Sequence, residues 1–436
     1  MSVELVGFLG ILLMFVLMFL RVPIAISMVV PAFIGILYLK DWEAFYTAVE
    51  TIVWGHSFNY TMSTIPMFVL MGELLFAAGI SGELFNTFRA WFGKLKGGLG
   101  IATVTSSAIF AAASGSSLAT TATIGVVASK EMIDSKYNKS FTAGSILAGG
   151  TLGILIPPST TLIIYGMLTE QSIGQLLIAG ILPGIMLTVL YIVTILLTVR
   201  IKPNIAPIID VKASWREKFV SLKSTIWIIL LFILVIGGMY VGFFNPTEAA
   251  GFGAFATFII ALIRKKLTFQ VLKRAMSNTL KTTGFLFAII IMAFVLNYFL
   301  TITRIPILLA NFFDGLTLPP FLIFLAIIFM YLILGAVMDA LAMIVVTIPI
   351  VLPIIQALGF DLIWFGIIVI MVVEMAMISP PVGMSSYVLK GSTEGLSLEQ
   401  IFKGALLFLI PIFSSILILY FFPDIATYLP SQMYNK

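Results

Sequence analysis

The sequence predicts an all-α polytopic membrane protein, built as an inverted structural repeat with two re-entrant helical hairpins and two broken helices. Three observations lead there. The 436 residues are 61% hydrophobic and only 10% charged, with a mean hydropathy of +1.16. A soluble chain carries roughly a quarter charged residues, so most of this one is solvated by lipid. Apolar runs near the length of a spanning helix, about 20 residues, recur from end to end. Two double prolines, Pro157-Pro158 and Pro380-Pro381, interrupt two of those runs 223 residues apart.

The same composition excludes several chemistries. With no cysteine there is no disulfide, thiolate metal site or iron–sulfur cluster, and His56 is the only histidine. The net charge of +5 is explained by membrane orientation, as shown next, so nucleic acid is not an expected partner.

Taken in order, the first apolar run, 6–20, has no basic residue before it and no small-residue cleavage site after it, and it reads as a retained membrane helix. Spanning runs are expected at 2–20, 22–39, 60–79, 174–199, 224–241, 246–263, 282–300 and 400–421. Two more, 140–168 and 362–389, contain the double prolines. Two stretches, 98–133 and 319–356, are too long for one crossing and carry polar or glycine residues at their middles, Ser114-Gly115-Ser116-Ser117 and Gly335 to Asp339. That pattern suits hairpins that enter the membrane and return on the same side.

Ten crossings with both termini outside place 21 of the 24 basic residues on the inside, leaving Lys40, Arg304 and Lys436. Such asymmetry is the expected signature of cytoplasmic loops, and a wrong number of crossings would scramble it. The first half (1–200) and the second (224–436) then show the same order of spans, hairpin and broken span, joined by a cytoplasmic linker at 201–223. Five crossings per half make the second inverted relative to the first. Inverted repeats with discontinuous helices at matching positions are the architecture of secondary transporters. Amphipathic stretches at 41–55, 83–95, 268–278 and 303–313 suit helices lying in the interface plane, arms between a fixed scaffold and a moving block. That block is expected to comprise the two hairpins and the two broken spans.

The chemistry concentrates at the breaks. A double proline lacks two amide donors and leaves preceding carbonyls without helical partners. In lipid such carbonyls must be enclosed or line a cavity. With serine and threonine hydroxyls they form an oxygen cage suited to a hard monovalent cation, while helix N-termini suit an anion. Small residues also let helices approach closely, which accounts for the glycines but not for the prolines. Asp339 stands out as a carboxylate at a hairpin tip, where ionisable groups are costly and mark function. It suits a sodium ligand or a helix N-cap. Glu374 lies one turn before the second break, and Glu73 reads equally as a structural hydrogen-bond partner. No G-x-x-x-x-G-K-[ST] motif occurs, which argues against primary ATP-driven transport and leaves ion coupling.

The S-G-S-S tip, the G-x-L-I-P-P-S-T break (Gly153–Thr160), the S-P-P-V-G break (Ser379–Gly383) and the R-V-P-I-A opening (Arg21–Ala25) resemble the large membrane subunit of tripartite ATP-independent periplasmic (TRAP) transporters over essentially the whole chain. The resemblance implies an elevator fold of the ion-transporter superfamily. It implies sodium-coupled import of a carboxylate-bearing organic acid, of C4-dicarboxylate or sialic acid type, across the bacterial inner membrane. It implies two partners, a small four-helix membrane subunit and a periplasmic substrate-binding protein. By the same resemblance, co-transported sodium ions would be held by Ser114, Ser117, Gly153 and Pro158 in one site and by Gly335, Asp339, Ser379 and Pro380 in the other. Substrate would lie near Ser116, Ser159, Thr160, Gly383 and Ser385. The competing readings are a stand-alone sodium-coupled anion symporter of the same superfamily, an ion channel and a membrane-embedded enzyme. The last lacks a nucleophile–base constellation.

Overall fold

The structure, a computed structural model, describes residues 1–209, 214–315, 318–335 and 338–433. The expected tip residues Ala336 and Val337 therefore lie outside the described residues, as do Lys212 of the linker and Lys436. Among the described residues there are helices and no strand.

The first half runs α1 (Val3–Phe19), α2 (Ile24–Leu39), α3 (Trp42–Ser57), α4 (Thr64–Ala77), α5 (Ile80–Phe92), α6 (Gly98–Ser114), α7 (Ser117–Asp134), α8 (Lys139–Thr151), α9 (Thr160–Thr169), α10 (Ile173–Ala179) and α11 (Ile181–Ile201). The second runs α12 (Trp215–Phe232), a π turn at Ile233–Gly237, α13 (Gly238–Tyr240), α14 (Pro246–Ile263), α15 (Phe269–Ile302), α16 (Ile305–Asp314), α17 (Pro320–Leu334), α18 (Ala340–Ala357), α19 (Leu362–Ile378), α20 (Met384–Ser392), α21 (Leu398–Phe421) and α22 (Asp424–Gln432). Among the described residues, six helices are long and apolar enough to cross a membrane by length and composition alone. The first two apolar runs come as shorter helices of 17 and 16 residues. Phe8, Phe19, Phe255, Phe329 and Phe421 point outward, an apolar surface that fits lipid rather than water.

Both long stretches that the sequence marks as too long for one crossing are divided where the polar residues fall. α6 ends at Gly115, in the left-handed region at φ 59°. α7 restarts on Ser116, whose side chain accepts from Ala119 N. α18 starts on Asp339 in the same way. The double prolines divide the next helices, α8 from α9 and α19 from α20, and both Pro–Pro bonds are cis.

The expected linker is helical in its last part: a capping box of Ser214 and Glu217 starts α12 at Trp215, and the helix bends by 48° between Lys223 and Thr225, where the linker was expected to end. One boundary differs from the sequence expectation. The amphipathic stretch at 268–278 is not a separate arm, because α15 runs unbroken for 34 residues. No proline or glycine stands between Phe269 and Thr283 to stop it.

Packing sorts the helices into two groups. α1, α2, α4, α14 and α15 pack on one another. The pairs α6–α7, α8–α9 and α19–α20 pack with α11 and α21. The last two spans, α11 and α21, therefore pack with the broken helices rather than with the first group. The ties are specific: Thr151 bonds Tyr191 across α8 and α11 at 2.6 Å, Trp364 of α19 donates to Leu419 O of α21 at 2.7 Å, and Gly144 and Gly404 let α8 and α21 pack backbone to backbone. The arm α5 touches both groups. Glu83 pairs with Arg264 at the end of α14, Trp91 donates to Lys218 O of α12, and Arg89 pairs with Glu131 of α7 at 2.8 Å.

Candidate functional site

The first tip is packed into the first break. A methyl group at Gly153 would fall 2.6 Å from the Ser117 backbone nitrogen and Cα, and one at Gly115 would fall 2.6 Å from the Pro158 carbonyl oxygen. Hydrogen at both positions is what permits this approach. Ser114, Ser117, Gly153 and Pro158 are thus brought together. Ser114 shares a hydrogen bond of 2.8 Å with Thr120, which donates to Ser116 O at 2.8 Å, so the tip is braced from within. Pro157, Pro158 and Ser159 are buried.

The expected substrate residues of this half sit at two adjacent helix starts. Ser116 caps α7, and Ser159 caps α9 by accepting from Leu162 N at 3.2 Å. Thr160 donates to Gly115 O at 3.4 Å, which ties the two starts together. Helix N-termini present amide donors and partial positive charge, a surface suited to a carboxylate.

The second tip, in its described residues, is assembled differently. Gly335 packs against Ala376, one turn before the break, so closely that a side chain there would collide with it. Ser379 donates to Ala376 O at 3.0 Å, whereas Pro380 and Pro381 are exposed. Asp339 accepts from Ala342 N at 2.7 Å, so its carboxylate does cap α18. Among the described residues no hydrogen bond joins it to Ser379. Gly383, at φ 53°, precedes α20. Ser385 is buried with no hydrogen-bond partner for its hydroxyl among the described residues.

Of the other acids within spans, Glu73 accepts from Asn278 at 3.0 Å, which agrees with one of the two readings its position left open. Glu374, read from the sequence as a support for the second break one turn further on, bonds elsewhere. It is 1% exposed and accepts a hydrogen bond from the Ser117 hydroxyl of the other half. Its acidity in an apolar run was the signal, but its partner is 257 residues away in sequence.

A cavity of about 660 Å³ lies elsewhere, between His56 and Met62, the α9–α10 turn at Glu170 and the start of α14 at Asn245. None of the tip residues lines it. His56 stacks on Phe294 with ring centroids 3.6 Å apart, and burial pushes its imidazole pKa down, opposed by Glu170.

Helices broken at paired prolines inside an apolar helical body, with hydroxyl-capped helix starts at the first break, are the architecture of a polytopic membrane protein. Residues 11–425 match the family described as "Tripartite ATP-independent periplasmic transporter, DctM component", and the chain belongs to that family, as a large permease subunit. It is 35% identical over 376 residues to the C4-dicarboxylate TRAP transporter large permease protein DctM of Pseudomonas aeruginosa, covering 86% of this chain and 87% of that protein. It is 30% identical over 416 residues to the sialic acid TRAP transporter large permease protein SiaM of Vibrio cholerae, covering 95% and 96%. The crystal structure of the Alcanivorax borkumensis YdaH transporter shares the fold, with a TM-score of 0.59 at 13% identity over 90% of this chain and 88% of that one.

Proposed function

We propose that the chain is the transmembrane permease of a sodium-coupled TRAP system that imports a carboxylate-bearing organic acid, of the C4-dicarboxylate or sialic acid type. A periplasmic binding protein delivers the acid, and a small four-helix subunit completes the permease. The single observation that carries the transport reading is the first tip enclosed in the first break, with Ser116 and Ser159 capping adjacent helix starts. Oxygen-rich backbone beside two N-termini suits a cation and an anion at once, and co-transport needs both.

In this reading the chain makes ten crossings in two inverted halves with both termini periplasmic. The tips and broken helices, with α11 and α21, travel as one block against α1, α2, α4, α14 and α15. The block's unpaired backbone groups stay enclosed together throughout. Cation cages at Ser114, Ser117, Gly153 and Pro158 and at Gly335, Asp339, Ser379 and Pro380 flank a substrate place near Ser116, Ser159, Thr160, Gly383 and Ser385.

Uptake of labelled acids into proteoliposomes, with and without a sodium gradient and the binding protein, tests the function. Uptake without the binding protein would favour a stand-alone symporter instead. Cysteine at position 215 should resist labelling from outside an intact cell. A crosslink between positions 115 and 159 should spare transport, whereas one from the tips to α1 should stop it.

A further inference from the structure

We propose that Glu374 is the charged positioning residue of the first cation site, supplied from the opposite half of the chain and acting through Ser117. The inference rests on the sodium-coupled reading above and adds a residue to it.

The expected members of the two cages differ in charge. The second includes the carboxylate of Asp339. The first, made of Ser114, Ser117, Gly153 and Pro158, is neutral. A neutral cage of hydroxyls and carbonyls in a low-dielectric surround must strip a cation of water with dipoles alone. Glu374 changes that balance. It lies on α19 at 1% exposure, and one carboxylate oxygen takes the hydrogen bond of the Ser117 hydroxyl. The other oxygen has no hydrogen-bond partner among the described residues. Neither of the ion pairs found among the described residues includes it. A hydroxyl that donates to a carboxylate is held in one orientation, with its lone pairs directed away from that carboxylate. Ser117 packs directly on Gly153, so its oxygen is held beside the break.

Two properties follow. The hydroxyl is polarised, which makes its oxygen a stronger cation ligand. The negative charge stands one ligand away from the cation, where a lone buried carboxylate would otherwise be strongly disfavoured. The bond also spans the two halves, from the start of α7 to the last turns of α19. A cation drawing on Ser117 and Glu374 would therefore hold the first tip to the second broken helix.

Glu374→Gln separates this from a plain packing contact, because glutamine keeps the size and still accepts from Ser117. The experiment follows thermal unfolding of the full chain, purified with its membrane partner subunit, against sodium at constant ionic strength. Choline and potassium serve as controls, and no transport assay is needed. Wild-type protein should be stabilised by sodium alone. Absence of that response would remove the sodium-coupled reading, and this inference with it. Given the response, Glu374→Gln should raise the sodium concentration for half-maximal stabilisation about tenfold or more, as a unit charge one ligand away does at the effective dielectric of protein interiors. An unchanged midpoint in a folded variant would overturn the proposal while leaving sodium coupling intact. Glu374→Asp keeps the charge but draws it back by one methylene from Ser117, so its midpoint should fall between those of wild type and Glu374→Gln. If the glutamine variant does not fold, Ser117→Ala, which removes the bonded hydroxyl, stands in for it, and an unchanged midpoint there would overturn the proposal.

Discussion

The two broken helices contain the same Pro–Pro step and are finished differently. Around Pro157-Pro158 the chain is buried, the Gly115 and Gly153 backbones touch the opposing segment, and hydroxyls cap the adjacent helix starts. Around Pro380-Pro381 the prolines are exposed, the cap of the neighbouring helix is a carboxylate, and Gly383 starts the next helix without a side chain. A repeated proline pattern thus does not produce two equivalent breaks. One is closed by packing, and the other leaves its prolines exposed beside a helix capped by a carboxylate.

The largest expected consequence is in accessibility. A cysteine at Ser159 should react with a polar maleimide at least about tenfold more slowly than one at Ser379, because thiol reactivity follows exposure. Equal rates in the purified protein would erase the contrast. Next comes packing. Gly153→Ala places a methyl against Ser117 backbone, which cannot swing aside as a side chain can. A loss of about 1–3 kcal/mol in stability, with loss of uptake, is expected. Gly391→Ala, in helix α20 where nothing lies within 4 Å, should leave uptake unchanged and raise stability by up to about 1 kcal/mol. Unfolding midpoints of the two variants make the comparison.

The charge difference is the subject of the third prediction. Asp339→Asn keeps the cap on Ala342 N and removes the charge, so stability should hold while sodium-titrated uptake shifts to higher sodium. An unchanged titration would reduce Asp339 to a cap. Ser116→Ala removes the cap of α7, and should lower stability by about 1 kcal/mol. The smallest effect concerns two matched tyrosines. Tyr191 bonds Thr151 and Tyr331 bonds Thr347, both at 2.6 Å and both buried. Each Tyr→Phe change should cost about 1 kcal/mol in thermal or denaturant unfolding. A much larger loss at Tyr191 would show that the closed site depends on its α11 brace.

Much was legible in the chain because the membrane imposes strict local rules. Lipid demands apolar runs and satisfied backbone, so composition, run length and the double prolines mark the helices and their breaks without reference to distant residues. Asp339 is readable as a helix cap by residue type and does cap α18, whereas the caps by Ser116 and Ser159 emerge with the structure.

What the sequence by itself determined is therefore the helical class, the positions of the breaks and the kinds of atoms gathered there. The partners of those atoms were decided only by the tertiary structure. Glu374 and Ser117 share no local pattern, and neither do Thr151 and Tyr191 or Glu73 and Asn278. Whether a break is buried or open, and whether α11 and α21 pack with the broken helices or apart from them, likewise depends on surfaces meeting across the fold. In a chain that is apolar nearly all round, hydrophobic periodicity carries little information about which face meets which helix. That choice is made by small residues and by a few polar side chains that must find one another out of water.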